Sequence, residues 1–274
     1  MATITADIGQ SRRVRDALSG TPRAHAVDRW IFVFMAAWFI AIVLAGFIPD
    51  SMMKVALVRA GERPPFPAVL HVHAVLMGSF LLLLLTQTVM MATGRKALHM
   101  QTGLLGMALA AALVVVGAIL APTMYHQLWD SAHSGAPGAM EKFGPGLPIW
   151  ENILLVQIRI GVLFAAFMAI AFKARANEAG MHKRMMFLAT VMALPAGIDR
   201  IPWLPHTMPV SPLSIDLYTV AAITPMLAWD VIRNRRVHEA YWIWFSVTIP
   251  CAVMVNILWD TPWWHATART IMRV

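Results

Sequence analysis

Residues 71–106 read HVHAVLMGSFLLLLLTQTVMMATGRKALHMQTGLLG: an apolar run, a short basic turn, and the opening of a second apolar run. The run over 69–92 holds no Asp, Glu, Lys or Arg. At 1.5 Å per residue it is about 36 Å long as a helix, enough to cross a hydrocarbon core of about 30 Å. Arg95 and Lys96 close the turn, and a second run follows over 100–121. Outward from this hairpin the alternation repeats, with runs at 30–48, 150–172, 184–203, 213–232 and 240–259. Only helices or closed barrels satisfy the backbone in lipid, and runs of this length and apolarity call for helices. The expected fold is all-α: a polytopic membrane bundle of seven transmembrane helices.

Charge sets the expected orientation. Arg12, Arg13, Arg15, Arg23 and Arg29 precede the first run, and Arg95/Lys96, Lys173/Arg175/Lys183/Arg184 and Arg233/Arg235/Arg236 fill every second loop, fourteen of the twenty-two basic residues. The intervening segments hold Lys54, Arg59, Arg63, Lys142, Arg269 and Arg273. The positive-inside rule then puts the N-terminus in the cytoplasm and the C-terminus outside. Residues 1–29 read as a basic cytoplasmic tail, 30–260 as the seven-helix domain and 261–274 as a short outer tail. The first run is long and lacks an A-x-A exit, which reads as a retained signal-anchor.

With 59% hydrophobic and 13% charged residues, the chain leaves little room for a soluble domain. The net charge of +8 sits beside the ends of the apolar runs, a distribution that argues for anionic lipid and against nucleic acid. The single cysteine, Cys251, lies within the last run and excludes thiolate clusters and intrachain disulfides. Nucleotide loops, HExxH and GxSxG are absent. The tryptophans near run ends, Trp244 and Trp264 among them, read as interfacial belts.

Three groups stand out against this background. Arg159 lies about ten positions inside the fourth run, where an arginine costs about 2.5–3.5 kcal/mol on insertion scales. It calls for a partner, with Glu151, Asp199 and Asp216 as candidate counter-ions. It reads either as a structural ion pair or as an anchor for an anionic group, a cofactor propionate or a substrate carboxylate. Second, six of the ten histidines fall on the outer side: His71, His73, His126, His133, His206 and His265. His71, His73 and His126 are the candidate metal ligands, although residues two apart diverge by about 200° on a regular helix. His133 and His265, in loop and tail, read as solvent-facing. Third, His99 heads a stripe of small residues at 103, 106, 110, 117 and 121 that suits close helix packing or a flat macrocycle. A faint repeat, "VLMGSF…ALHM" against "VLFAAF…GMHKRM", makes His182 its counterpart. Contact with lipid headgroups, beside Arg95, Lys96, Lys183 and Arg184, is the competing account of both histidines.

The stretch over 71–106 resembles a pattern in uncharacterised multi-pass bacterial membrane proteins: a histidine-headed helix, a glutamine, a "GR" turn and an "LH" opening the next helix. More distantly, histidines at opposite ends of neighbouring helices are similar to transmembrane b-type cytochromes that carry two haems. That resemblance implies haem b held by His99 with His182 near the inner face, and by His71 or His73 with His126 near the outer face. In this chain the histidines sit at the extreme ends of the helices.

The expectation is an integral protein of the bacterial inner membrane that binds haem or metal. It would act in electron transport on a quinol or other lipid-soluble partner, with Arg159 or Arg200 pairing with propionates. The first alternative is a metal-dependent enzyme: iron, copper or zinc on the outer histidines, and Glu151 or Asp199 as general base. The second is a transporter or assembly protein without cofactor. The expected partners are the bilayer, a lipid-soluble small molecule or quinol, and a second copy of the chain.

Overall fold

The computed structural model describes residues 16–18 and 21–274. Ten α-helices account for most of this stretch, and no strand is present among the described residues. They are α1 (Ala26–Arg59), α2 (Ala68–Ala92), α3 (Lys96–Ala132), α4 (Ala139–Phe143), α5 (Gly146–Ala174), α6 (Ala179–Thr190), α7 (Pro195–Ile198), α8 (Leu213–Asn234), α9 (Glu239–Leu258) and α10 (Pro262–Met272). Six of them, α1, α2, α3, α5, α8 and α9, are long and apolar enough to cross a membrane.

Two of the six outrun their apolar stretches. At 34 and 37 residues, α1 and α3 reach about 51 and 55 Å. Each passes an internal proline, Pro49 or Pro122, and continues for ten residues. Beyond these prolines no glycine occurs until Gly61 and Gly135, where φ is +73° and +75°. A proline kinks a helix without stopping it when the flanking residues are helix formers. These extensions, with α4 and α10, raise a helical rim at one end of the bundle, called the outer end here.

The stretch expected as one helix over 184–203 is broken. Helix α6 stops at Thr190, a single 3-10 turn spans Val191–Ala193, α7 follows, and the chain is irregular from Asp199 to Pro212. Pro195 causes the break, since it lacks an N–H and its ring collides with the carbonyl four residues back. Met185, Leu188, Ala189, Val191 and Met192 are almost wholly buried, so the broken path lies inside the bundle. A helix α1 crosses it at backbone distance: a Cβ on Gly46 would lie 2.0 Å from the Gly197 carbonyl oxygen.

The main core gathers Phe32, Met35 and Phe39 of α1 with Phe187 and Leu188 of α6, Ile223 and Met226 of α8, and Trp244 of α9. Trp244 is completely buried and donates its indole N–H to the Leu188 carbonyl at 2.8 Å, so it is a core residue rather than part of an interfacial belt. Trp264 and Trp259 belong to a second cluster at the outer end with Tyr125, Leu154 and Met272. Trp30, Trp203, Trp242 and Trp263 remain exposed, as a belt requires.

The basic turns meet at the opposite, inner end. Arg184 is fully buried there and pairs with both Asp230 of α8 and Asp16, its Nη2 lying 2.8 Å from Asp230 Oδ1 and 2.9 Å from Asp16 Oδ1. Lys183 pairs with Asp16 at 2.6 Å. Arg233 grips the buried Asp28 of α1 at 2.8 Å. The headgroup role foreseen for Lys183 and Arg184 is therefore overturned: both hold the N-terminal stretch against α6 and α8.

Candidate functional site

Arg159 projects from the buried face of α5 and is 6% exposed. Of its three candidate counter-ions, the fold selects Asp216 in the first turn of α8, with Nη2 to Oδ1 at 2.6 Å. Asp216 Oδ2 accepts from Asn256 Nδ2 of α9 at 3.1 Å, and Ser211 Oγ donates to Asn256 Oδ1 at 3.3 Å. This polar chain joins α5, α8, α9 and the irregular loop. It leaves the guanidinium incomplete. Nε and Nη1 are buried and meet no acceptor among the described residues. A buried polar donor without a partner costs about 1–3 kcal/mol, more when charged, so Arg159 is held short of its own preference. The ion pair is already neutral, so an incoming anion would face Asp216 in a medium of low dielectric. An uncharged oxygen acceptor meets both free N–H groups without that repulsion.

Glu151 is elsewhere engaged. Completely buried at the outer end of α5, it accepts from His265 Nδ1 at 2.6 Å, Arg269 Nε at 2.7 Å and Tyr125 Oη at 3.2 Å. His265 also reaches Asp260 at 3.1 Å, and Asn152 Oδ1 accepts from the Asp260 N–H at 3.0 Å. Bonding to Glu151 holds the Arg269 guanidinium above its usual range. A carboxylate with three donors and no exposed surface suits an anchor for α10 better than a general base. His265, expected to face solvent, is a half-buried tie between two carboxylates instead. Asp199 is half-buried, its carboxylate makes no hydrogen bond or ion pair among the described residues, and it does not meet Arg159. Arg200 pairs with Asp50 of α1 at 3.3 Å.

The outer histidines do not converge. Helix α2 is regular from Ala68, so His71 and His73 point apart. His71 is exposed and sits edge-on to Phe66, ring centroids 6.2 Å apart. His126 lines an open groove of about 700 Å³ on α3 with Pro122, Thr123, Gln127 and Asp130. His206 is exposed and bonds the Met208 carbonyl at 3.1 Å. Among the described residues no three His, Cys, Asp or Glu side chains stand together as metal ligands, so His71, His73 and His126 form no shared centre. His73 turns inward, and its Nδ1 is buried without a partner.

At the inner end the structure does bring His99 and His182 within electrostatic reach of each other. Axial ligation of a haem by both rings requires the lone pair of each Nε2. His182 Nδ1 lies 2.8 Å from the Ala171 carbonyl, which fixes its proton on Nδ1 and frees Nε2. His99 is set the other way. The Gln87 amide accepts from Thr102 Oγ1 at 2.7 Å and Gly103 N at 3.1 Å, which directs its nitrogen to His99 Nδ1 and leaves the His99 proton on Nε2. His182 fits a bis-histidine site, and His99 fits it only with the Gln87 amide reversed.

No family model, curated protein or solved structure matches this chain. The structure includes one element the sequence reading missed, the inner knot in which Asp16, Arg184, Asn234 and His238 line a cavity of about 580 Å³ and Asp230 backs Arg184 and Asn234. Burial and the neighbouring Arg184 push the His238 imidazole down to about 4, and its Nδ1 caps α9 by accepting from Ala240 N at 3.1 Å. The signal was present as two acids in otherwise apolar or basic segments, Asp16 and Asp230. Nothing in the sequence joins residues so far apart.

Proposed function

We propose that this chain is a multi-pass protein of the bacterial inner membrane that binds an uncharged, lipid-soluble, oxygen-bearing molecule at Arg159. The observation that carries the reading is the pair of buried, unpartnered nitrogens on that guanidinium. Quinones and quinols belong to this ligand class, and lipid esters share its acceptor chemistry. Arg159 donates, Asp216 fixes the guanidinium, and Asn256 holds Asp216 in place. The broken path from Ala179 to Ile198 is read as a further crossing, which makes seven. Support comes from where the path starts and where α8 takes over: Arg184, near its start, meets Asp230 at the inner end of α8, while α8 itself begins at the outer end, where Asp216 meets Arg159 of α5. Buried irregular backbone at membrane depth is tolerated where protein surrounds it, and it often flanks a binding site.

The test is native mass spectrometry of the protein released from nanodiscs. The wild type should carry a neutral lipid-soluble molecule that Arg159→Met/Asp216→Asn loses, the double change avoiding an unpaired buried charge. Identical ligand content in a folded double variant would sink the proposal.

A second reading keeps the inner histidines as ligands to haem b, which would supply one-electron transfer. His182's free Nε2 and its closeness to His99 favour it. Under this reading Arg175, which interacts electrostatically with His182, is the nearby cation for a propionate. Oxidised and dithionite-reduced absorption spectra decide it: a Soret band lost in both His99→Ala and His182→Ala establishes the haem, and a colourless protein removes it.

A further inference from the structure

His73 of α2 and Gln157 of α5 are polar side chains in the outer halves of their helices, and Gln157 lies on the opposite face of α5 from Arg159. Helices α2 and α5 run in the same direction, each antiparallel to α3, and meet where Phe80 and Phe164 stand edge to face with centroids 5.9 Å apart. Seven residues are two helical turns, or about 10 Å. His73 therefore stands over Phe80, and Gln157 over Phe164, at one height toward the outer end. Leu83 meets Gly106 across the α2–α3 hairpin at 3.6 Å from the position of a Cβ, which sets Gly117 at the height of His73. One turn below, α5 presents Gly161. A Cβ on Gly117 or on Gly161 would have no atom within 4 Å.

The polar groups at this height are unspent. His73 Nδ1 is buried without a partner, and the half-buried Gln157 amide makes no hydrogen bond among the described residues. Gln157 and Arg159, two residues apart, diverge by about 200°, so the two sites are separate.

We propose that this cleft binds a flat, uncharged, lipid-soluble ring carrying oxygen functions, of the quinone and hydroquinone class. Phe80 and Phe164 form its floor, Gly117 and Gly161 admit the face of a ring, and His73 and Gln157 take its oxygens. A hydroquinone hydroxyl donates to an imidazole lone pair, and a quinone carbonyl accepts from the amide. The half-buried state of His73, Gln157 and Gly161 leaves the cleft open toward lipid. Arg159 takes no part in this cleft.

The test is titration of the full chain in nanodiscs with a decyl-substituted benzoquinone, read as tryptophan fluorescence quenching above that of bulk partition. The expected result is saturable quenching that weakens about tenfold in His73→Leu and in Gln157→Leu, as loss of one hydrogen bond implies. Part of it should remain in Arg159→Met/Asp216→Asn, which removes binding at that guanidinium, and this part should vanish when Gly161→Leu, which fills the cleft, is added. Gly117→Leu, on a different helix, gives the same readout should Gly161→Leu fail to fold. Absence of saturable quenching in the wild type overturns the proposal, as does unchanged affinity in a folded cleft-filling variant. Loss of quenching only in the Arg159 double variant moves the quinone to the other site.

Discussion

Arg184 and Arg159 show what a single residue does and does not disclose. Arg159 was legible because a charge inside an apolar run has no bland explanation, and its partner was among three acids within reach of neighbouring runs. Arg184 was misread because it stands beside Lys183 at a run's edge, where headgroup contact is the usual role. Its partner Asp16 is 168 residues away, a pairing that hydropathy cannot express. The same knot gives His238 a pH signature. Its imidazole is held down to about 4 by burial and by Arg184, against an ordinary value of 6.5. The unfolded chain therefore binds the proton first, and stability is lost as pH falls from 6.5 toward 4. After discounting for partial exposure, the loss is on the order of 1–2 kcal/mol. Thermal melts in detergent between pH 7 and 4 should show this decline, and His238→Asn, which keeps a capping side chain, should flatten it. An identical slope in the variant would assign the decline to other groups.

At the scale of the element, apolarity located the helices but not their ends or their breaks. Helices α1 and α3 run on past their apolar stretches because helix-forming residues continue to Gly61 and Gly135, whereas hydropathy stops where the lipid would. Pro195 gave no usable warning, since Pro49, Pro122, Pro225 and Pro250 all lie inside helices that survive them. What distinguishes Pro195 is Gly197 just after it, where α1 packs Gly46 directly against buried backbone that no side chain shields. That crossing has no room for a methyl group. Gly46→Ala should therefore cost about 1–3 kcal/mol through displacement of α1 from α7, despite alanine's better helix propensity. Gly117→Ala, with open space around the new Cβ, should leave stability unchanged or raise it by up to about 1 kcal/mol. Melting both variants beside the wild type checks the pair, and equal stability of the two would remove the backbone crossing as a structural constraint.

Across the whole molecule, the basic turns and the Asp16–Arg184–Asp230 knot coincide at one end, while the long loops, α4, α10 and the Glu151 network gather at the other. The tail expected over 261–274 is instead an amphipathic helix. Its Thr261 cap accepts from Trp264 N, and buried Glu151 holds it through His265 and Arg269. Sequence alone could not show this, because an eleven-residue segment with three apolar anchors reads as a tail until a partner surface is supplied. On the proposed seven-crossing reading the bundle has a sidedness that labelling can read. In a Cys251→Ser background, a cysteine replacing Lys142 in α4 belongs to the outer end, and one replacing Arg235, at φ +55° in the α8–α9 turn, belongs to the inner end. An impermeant maleimide on whole spheroplasts should modify the first and reach the second only after lysis. Positive charge concentrated at the inner turns requires that order. Modification of both positions before lysis would mean that Ala179–Ile198 does not carry the chain across, and that the bundle crosses the membrane an even number of times.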